Sequence, residues 1–382
     1  MNTKINSAYI HIPFCKHICT YCDFNKYYID TQPVDEYIDQ LIKEIKSVPK
    51  QSMQTVFIGG GTPTALSIEQ LKRLFKAIYE QFNGIEELTV EANPEELTDD
   101  KIECLKAYGV NRLSIGVQTF DAELLNVLGR AHSKDQAIQS VYKAKDVGIE
   151  SISLDLMSEL PNQSLDQLKS SLEIALNLPI DHISIYGLIL EPQTMMYNAY
   201  RKSKLELPTE TTIDEMDEMI ESMMEQVQMK RYETSNFATS EEHQSKHNLT
   251  YWNNDYYYGF GAGAHGYVDG VRYSNINPVN HYIESIKKHH HARRDEHPVT
   301  LKEQYEEFMF LGLRKTEGVS RTEFERRYGV TLESIYEAPL NQLIHHQMIE
   351  VNPLNGDDIY LTKKGKRHAN EVLSHFIIDD QD

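Results

Sequence analysis

The chain has one tryptophan, four cysteines and no apolar run near the roughly 18 residues that would span a bilayer. Its start, Met1-Asn2-Thr3-Lys4-Ile5-Asn6, lacks the apolar h-region of a secretory signal. Secretion and membrane insertion are therefore not expected, and a cytoplasmic location is. In that reducing compartment clustered thiols serve metals or catalysis rather than disulfides. Cations are scarce too: 38 Lys and Arg stand against 58 Asp and Glu, a net charge of −20, so the basic footprint of a nucleic-acid binder is missing. The one basic run, Lys287-Lys288-His289-His290-His291-Ala292-Arg293-Arg294, reads as a solvated loop. Its sharper alternative is peripheral contact with anionic lipid head groups or carboxylates. Gly59-Gly60-Gly61-Thr62-Pro63-Thr64 is followed by no Gly-Lys-Ser/Thr, and no glycine fingerprint follows the first strand, so neither a phosphate loop nor a Rossmann sheet is indicated.

What is present is βα alternation. Short β-rich runs occur at Tyr9–Phe14, Val56–Ile58, Leu88–Glu91, Arg112–Gln118, Ile152–Leu156 and His182–Gly187. Helical patterns separate them, over 34–48, from the N-cap Ser67 to about 82, near 99–108, 122–128 and 134–147, and over 165–178. Six such units imply parallel crossovers, hence a doubly wound sheet or a TIM-like barrel. Gly60, Glu91, Gln118 and Asp155 recur toward the C-terminal ends of the strands, which is the active face of a barrel. The reading is an α/β fold: a partial (β/α)6 TIM-like barrel over 1–235, a connecting segment over 236–297, and a helical, winged-helix-like domain over 298–382. In the last of these, helices near 301–314, 321–328 and 332–346 precede a hairpin turning at Asn355-Gly356 and a final helix near 363–376. An acidic helix over 211–229 carries Met216, Ile220, Met223 and Val227 on one stripe, read as core packing. Cys104, alone in a helix, reads as a buried small hydrophobe.

The chemistry begins at Cys15, Cys19 and Cys22, a Cys-x3-Cys-x2-Cys loop at the end of the first strand. Three thiolates can hold an iron–sulfur cube and leave one iron open to an exogenous ligand. The alternative is zinc, completed by His11 or His17.

This spacing, within Tyr9-Ile10-His11-Ile12-Pro13-Phe14-Cys15, resembles the radical SAM superfamily, in the branch that contains oxygen-independent coproporphyrinogen III dehydrogenases and heme chaperones. The resemblance runs nearly the whole length. It implies a 4Fe–4S cluster on Cys15, Cys19 and Cys22, with S-adenosylmethionine (SAM) on the open iron. It also implies SAM contacts from Tyr9, Gly60 and Glu91, and from Tyr21, Gly61, Thr62, Gln118, Arg130, Asp155 and Gly187. The residue types agree: glycines let backbone approach a ligand closely, carboxylates suit an ammonium or ribose hydroxyls, and an arginine clamps a carboxylate.

Within that branch the dehydrogenases carry Gly-Cys after the third cluster cysteine, where this chain has Asp23-Phe24, and they have a longer N-terminal extension. His247-Asn248-Leu249-Thr250-Tyr251-Trp252 instead matches the His-Asn-x-x-Tyr-Trp pattern of the heme chaperones. The resemblance thus implies a chaperone that binds heme and delivers it to hemoproteins such as membrane respiratory enzymes. His247 would be the axial ligand, with Tyr251 and Trp252 available to stack on the macrocycle. A radical SAM enzyme of the dehydrogenase type is the alternative, and monomer and homodimer are both left open.

Overall fold

The computed structural model describes residues 4–378. Six strands, β1 (Ser7–Ile12), β2 (Thr55–Gly60), β3 (Glu87–Ala92), β4 (Arg112–Gln118), β5 (Ser151–Ser158) and β6 (His182–Gly187), lie side by side in chain order. Each pairs in parallel with the next. The crossovers are α1 (Val34–Ser47), α2 (Ile68–Gln81), α3 (Asp99–Ala107), α4 (Ala122–Leu128) followed by α5 (Lys134–Asp146), and α6 (Leu165–Leu176). Sequential strand order is that of a TIM-like barrel and not of a doubly wound sheet. Local sequence starts and stops these helices. Ser67/Gln70, Ser133/Gln136 and Ser164/Gln167 form capping boxes at α2, α5 and α6, and Gly129 ends α4 at φ +69°.

Side-chain alternation divides the sheet into two chemically different faces. Ala8, Ile10, Ile12, Val56, Ile58, Val90, Leu113, Ile115, Ile152 and Leu154 are fully buried and belong to the main core with the helices. The intervening positions carry Tyr9, His11, Phe57, Glu91, Ser114, Ser153, Asp155 and Ser184. Parallel sheets are ordinarily apolar on both faces. The polar inner face here suits ligand binding better than packing.

The sheet continues past both ends of the six. Strands β7 (Lys230–Arg231) and β8 (Asn236–Ala238) extend it antiparallel beyond β6. Strand β9 (Tyr257–Phe260) runs parallel to β1, followed by an antiparallel meander of β10 (His265–Val268), β11 (Val271–Asn275) and β12 (Arg293–Pro298). Among the described residues the order is β7-β8-β6-β5-β4-β3-β2-β1-β9-β10-β11-β12. The outermost strands do not pair with each other, so the barrel is partial.

The connecting segment expected over 236–297 supplies strands that pair into the barrel sheet itself. Its glycines disguised it. Gly259 stands where a Cβ would come 1.9 Å from the His265 carbonyl oxygen, so the close β9–β10 crossing demands glycine in a strand. The basic run is likewise not one loop. Lys287, Lys288 and His289 close helix α10 (Val279–His289), where cations suit the helix dipole, and Arg293 opens β12. Between α6 and α10 lie α7 (Met195–Arg201), α8 (Glu210–Gln226) and α9 (Lys246–Trp252). On α8 the buried stripe is Met216, Ile220 and Met224, whereas Val227, the C-cap just past the last helical residue, is 42% exposed.

One buried carboxyl ties the two sequence-distant parts of the sheet together. Glu44 on α1 accepts from Gly261 N at 2.7 Å, Asn275 Nδ2 at 2.8 Å and Tyr282 Oη at 2.6 Å. Beside it, Tyr37 Oη donates to the His11 carbonyl and accepts from Ala262 N. The segment after β9 is thereby fastened to α1 and β1.

A second core gathers Tyr305, Phe308, Phe324, Tyr336, Leu343 and Phe376. It joins helices α11 (Leu301–Gly312), α12 (Arg321–Tyr328) and α13 (Leu332–His345) to a small sheet of β13 (Val319–Ser320), β14 (Ile349–Val351) and β15 (Asp358–Leu361). The last helix is split into α14 (Lys363–Arg367) and α15 (Ala369–Ser374) at His368, whose φ is −114°. This domain is bolted to the barrel by a bidentate Arg272–Glu307 pair at 2.8 and 2.9 Å, and by Lys315 Nζ donating to Asn253 Oδ1 at 2.8 Å. Among the described residues no helix is long and apolar enough to cross a membrane.

Replacing Glu44 by Ala strands three buried donors. The expected loss is about 3–5 kcal/mol, read as a lower urea midpoint at unchanged slope.

Candidate cluster and cofactor site

The three loop cysteines follow β1 directly. Cys15 ends a two-residue strand, Phe14–Cys15, and is buried, whereas Cys19 and Cys22 are half-buried. Each of the first two sulfurs already has a polar neighbour. Thr62 Oγ1 donates to Cys15 Sγ at 3.5 Å, and Arg130 Nη1 donates to Cys19 Sγ at 3.4 Å. Gly61 faces the first sulfur so closely that a Cβ would stand 2.9 Å from it. Burial pushes the Cys15 thiol up to about 11 and raises Cys22 as well, so cationic iron is the kind of partner that would stabilise their thiolates.

Zinc finds no fourth ligand here. His11 Nε2 donates to Asn25 O at 2.9 Å, which leaves Nδ1 to accept from Tyr9 Oη at 2.9 Å, so both ring nitrogens are occupied. His17 points to solvent. Among the described residues no group of three His, Cys, Asp or Glu side chains, the loop cysteines as folded included, stands together so as to hold a metal ion. Three thiols on one loop, backed by hydrogen-bond donors and a glycine, fit a polynuclear cluster better.

The strand ends behind the loop supply the rest. Gly60 N donates to Glu91 Oε2 at 2.9 Å, and Ser114 Oγ lies 3.0 Å from both Asp155 oxygens. Enclosure in the barrel pushes Glu91 up to about 7 and Asp155 up to about 6. Arg130 Nη2 donates to Asn93 Oδ1 at 2.8 Å and to the Gly116 carbonyl, while its Nε is buried with no partner. That orphaned donor, with two carboxyls nearby, is the complement of a ligand bearing both a carboxylate and an ammonium. Gln118 takes a left-handed φ of 68° at a break in the β4–β5 register, which turns the chain out of the strand there. Tyr21 packs against the small cluster of Leu124, Leu128, Met157, Leu160 and Met196. Gly187 leaves room for Glu159, whose Oε1 would be 2.2 Å from a Cβ there.

So Tyr9, Gly60, Gly61, Thr62, Glu91, Gln118, Arg130 and Asp155 gather at the cysteine end of the barrel. His11, weighed above as a zinc ligand, is instead Tyr9's partner, and one contributor was not singled out from sequence: Asn93, which bridges Arg130 and Thr62. Asn93 lies in the same Val90-Glu91-Ala92-Asn93-Pro94 stretch as Glu91, and that proximity was the available signal.

The expected heme ligand is placed elsewhere. Helix α9 plugs the opposite end of the barrel, its first amides donating to the Glu87 carboxylate at 3.0 and 2.9 Å. His247 is 1% exposed. Its Nδ1 is bonded to Thr55 Oγ1 at 2.8 Å, its Nε2 to Tyr251 Oη at 2.7 Å, and its ring stacks on Phe57. Burial lowers its pKa to about 3, which keeps it neutral. As folded, Tyr251 occupies the Nε2 of His247, the residue expected as the heme ligand.

Residues 9–175 match the family model of the radical SAM superfamily, and residues 299–368 match that of the HemN C-terminal domain. The chain is 48% identical over 381 residues to a protein of Bacillus subtilis named heme chaperone HemW, covering 98% of this chain and 99% of that one. The chain belongs to the HemW branch of the radical SAM superfamily. Its HemW relatives include one from Lactococcus lactis at 43% identity, covering 100% of this chain and 99% of that protein. Another, from Escherichia coli, is 31% identical with 98% of each chain covered. The fold is that of the solved coproporphyrinogen III oxidase HemN of Escherichia coli, with a TM-score of 0.86, 22% identity, and coverage of 98% of this chain and 91% of that one. A radical SAM family member is expected to carry a 4Fe–4S cluster and SAM, and the donor set described above fits both.

Two outcomes are expected. Gly61→Ala forces movement against Cys15, so a folded variant should retain less iron and sulfide on anaerobic reconstitution. Glu91 has a folded-state pKa raised above its ordinary 4.5 to about 7, so it favours folding fully below pH 4.5 and loses that contribution as pH rises through 7. Glu91→Gln should therefore stabilise the SAM-free chain by about 2 kcal/mol at pH 8 and not at pH 4.5, seen in denaturant midpoints.

Proposed function

We propose that this protein is a heme chaperone: it binds heme and hands it to hemoproteins, membrane respiratory enzymes among them. The observation that carries the reading is the end-to-end match to proteins named heme chaperone HemW, at 48% identity over 98% of the chain. Cys15, Cys19 and Cys22 would hold the 4Fe–4S cluster. Tyr9, Gly60, Glu91, Tyr21, Gly61, Thr62, Gln118, Arg130, Asp155 and Gly187 would hold SAM. The cluster, when bound, supplies one-electron chemistry and an iron site for SAM. The chain's own part is to enclose that site, to present Arg130 to a carboxylate and Glu91 and Asp155 to cationic or hydroxyl groups, and to keep water from the buried sulfur of Cys15. Asp23-Phe24, in place of the Gly-Cys of the dehydrogenases, supports a chaperone over a coproporphyrinogen decarboxylase.

In this reading His247 becomes available to heme iron only when the Tyr251 bond opens and α9 moves from the barrel floor. Tyr251 and Trp252 would then be free to stack on the macrocycle. The cytoplasm is the proposed location.

Heme titration of the anaerobically reconstituted protein should give saturable binding with a defined Soret band. His247→Ala should shift that band and release heme faster while cluster content is unchanged. An unaltered spectrum and off-rate would place the iron ligand on another residue. Deoxyadenosine production that depends on coproporphyrinogen would overturn the chaperone reading in favour of a radical enzyme. Because Glu91 and Asp155 must be ionised to face a SAM cation, SAM affinity should rise between pH 5.5 and pH 8, and Glu91→Gln should flatten that rise.

A further inference from the structure

Three polar side chains meet behind the cysteine loop, each brought there by a different segment. Thr62 follows β2, Asn93 follows β3 and Arg130 follows α4. Their contacts form one continuous line between two of the loop sulfurs. Arg130 Nη1 donates to Cys19 Sγ at 3.4 Å, and its Nη2 donates to Asn93 Oδ1 at 2.8 Å. Asn93 Nδ2 in turn donates to Thr62 Oγ1 at 3.1 Å, and Thr62 Oγ1 donates to Cys15 Sγ at 3.5 Å. The end of α4 is fastened to the same loop. There Thr20 N donates to the Leu128 carbonyl at 3.0 Å, and Thr20 Oγ1 to that of Val127 at 2.8 Å.

The direction of every bond in this line follows from its first member. A guanidinium has donors and no acceptor, so the Asn93 atom that faces it is the amide oxygen. The amide nitrogen is thereby turned toward Thr62 and occupies a lone pair of its hydroxyl. That leaves the hydroxyl proton to point at Cys15. The local fold does not account for this use of Asn93. It stands ahead of the short 3-10 turn Pro94–Glu96, where an asparagine commonly caps with its own side chain, yet it makes no capping bond. Its amide is spent on Arg130 and Thr62 instead.

Hydrogen bonds to ligating sulfurs place positive charge where an added electron resides, and so favour the reduced cluster. We propose that Asn93 is a positioning residue that raises the reduction potential of the 4Fe–4S cluster. It does so by aiming the Thr62 proton at Cys15 and by holding Arg130 against Cys19. The inference rests on the reading of the three cysteines as cluster ligands. Aspartate at this position has the same shape but two acceptor oxygens, so it would accept from Thr62 and draw the proton away from sulfur.

The test is a redox titration of the full-length protein after anaerobic cluster reconstitution, read by electron paramagnetic resonance of the reduced cluster. At the wild-type midpoint, Asn93→Asp should lower the reduced-to-oxidised ratio about ten-fold, a midpoint about 59 mV more negative for a one-electron couple. Thr62→Val should lower the midpoint too, and Thr62→Ser, which keeps the hydroxyl, should restore it. The double variant Thr62→Val/Asn93→Asp separates proton direction from added charge. With no hydroxyl to redirect, Asn93→Asp should shift the midpoint less than half as far in that background. Where the aspartate variant takes up no cluster, Asn93→Ala, which adds no charge, is compared in the same two backgrounds with the same expectation. The proposal is overturned if Thr62→Val keeps the wild-type midpoint, or if the Asn93 substitution shifts it equally in both backgrounds or not at all. Wild type that takes up no reducible iron–sulfur cluster would remove the cluster reading and this role with it, whereas the other outcomes remove the role of Asn93 alone.

Discussion

Everything at the cofactor end depends on the two-residue period of six parallel strands held in sequential order. Because side chains alternate, a strand can present isoleucine and valine to the helices and tyrosine, glutamate, serine or aspartate to the interior from one short run. Parallel pairing then places Tyr9 beside Phe57 and Ser114 beside Glu91 and Ser153, although these residues are tens of positions apart in sequence. A slip of one residue would bury the carboxyls among the helices and turn the aliphatic face inward. The apolar face opposes such a slip by burying its side chains completely, so the energy that folds the barrel also positions the site.

The barrel has two unlike ends. At one, the segments after β1, β2 and β4 bring the thiols, Gly61 and Arg130 to Glu91 on β3 and Asp155 on β5. At the other, α9 closes the floor with His247 held between Thr55 and Tyr251. A neutral buried histidine bonded on both sides is a structural part in the conformation described here. Lys315 of the C-terminal domain grips Asn253 just beyond α9, and Arg314 lies over Trp252, so that domain is fastened to the floor helix.

Some features could be read from the sequence because they are local. The helix starts at Ser67, Ser133 and Ser164, the turn at Asn355-Gly356 and the cysteine spacing need only a few neighbouring residues. Other features were hidden because their cause lies far along the chain. Gly259 looks like a strand breaker until the His265 carbonyl is seen to occupy its side-chain space. Glu44 looks like one more solvated acid on α1 until Gly261, Asn275 and Tyr282 are seen to donate to it. Asn93 gains its role only when Arg130 and Thr62 arrive on either side.

By itself, the sequence determined the alternation of strands and helices and the three-cysteine loop, because spacing and residue type suffice for these, whereas the residues expected to serve SAM are what the family resemblance implies. Tertiary structure alone decided that β9 to β12 belong to the barrel sheet and that His247 faces a buried threonine and tyrosine. Each of these depends on which distant groups meet and which polar atoms are thereby satisfied or left free, and pairing of that kind exists only once the chain has folded.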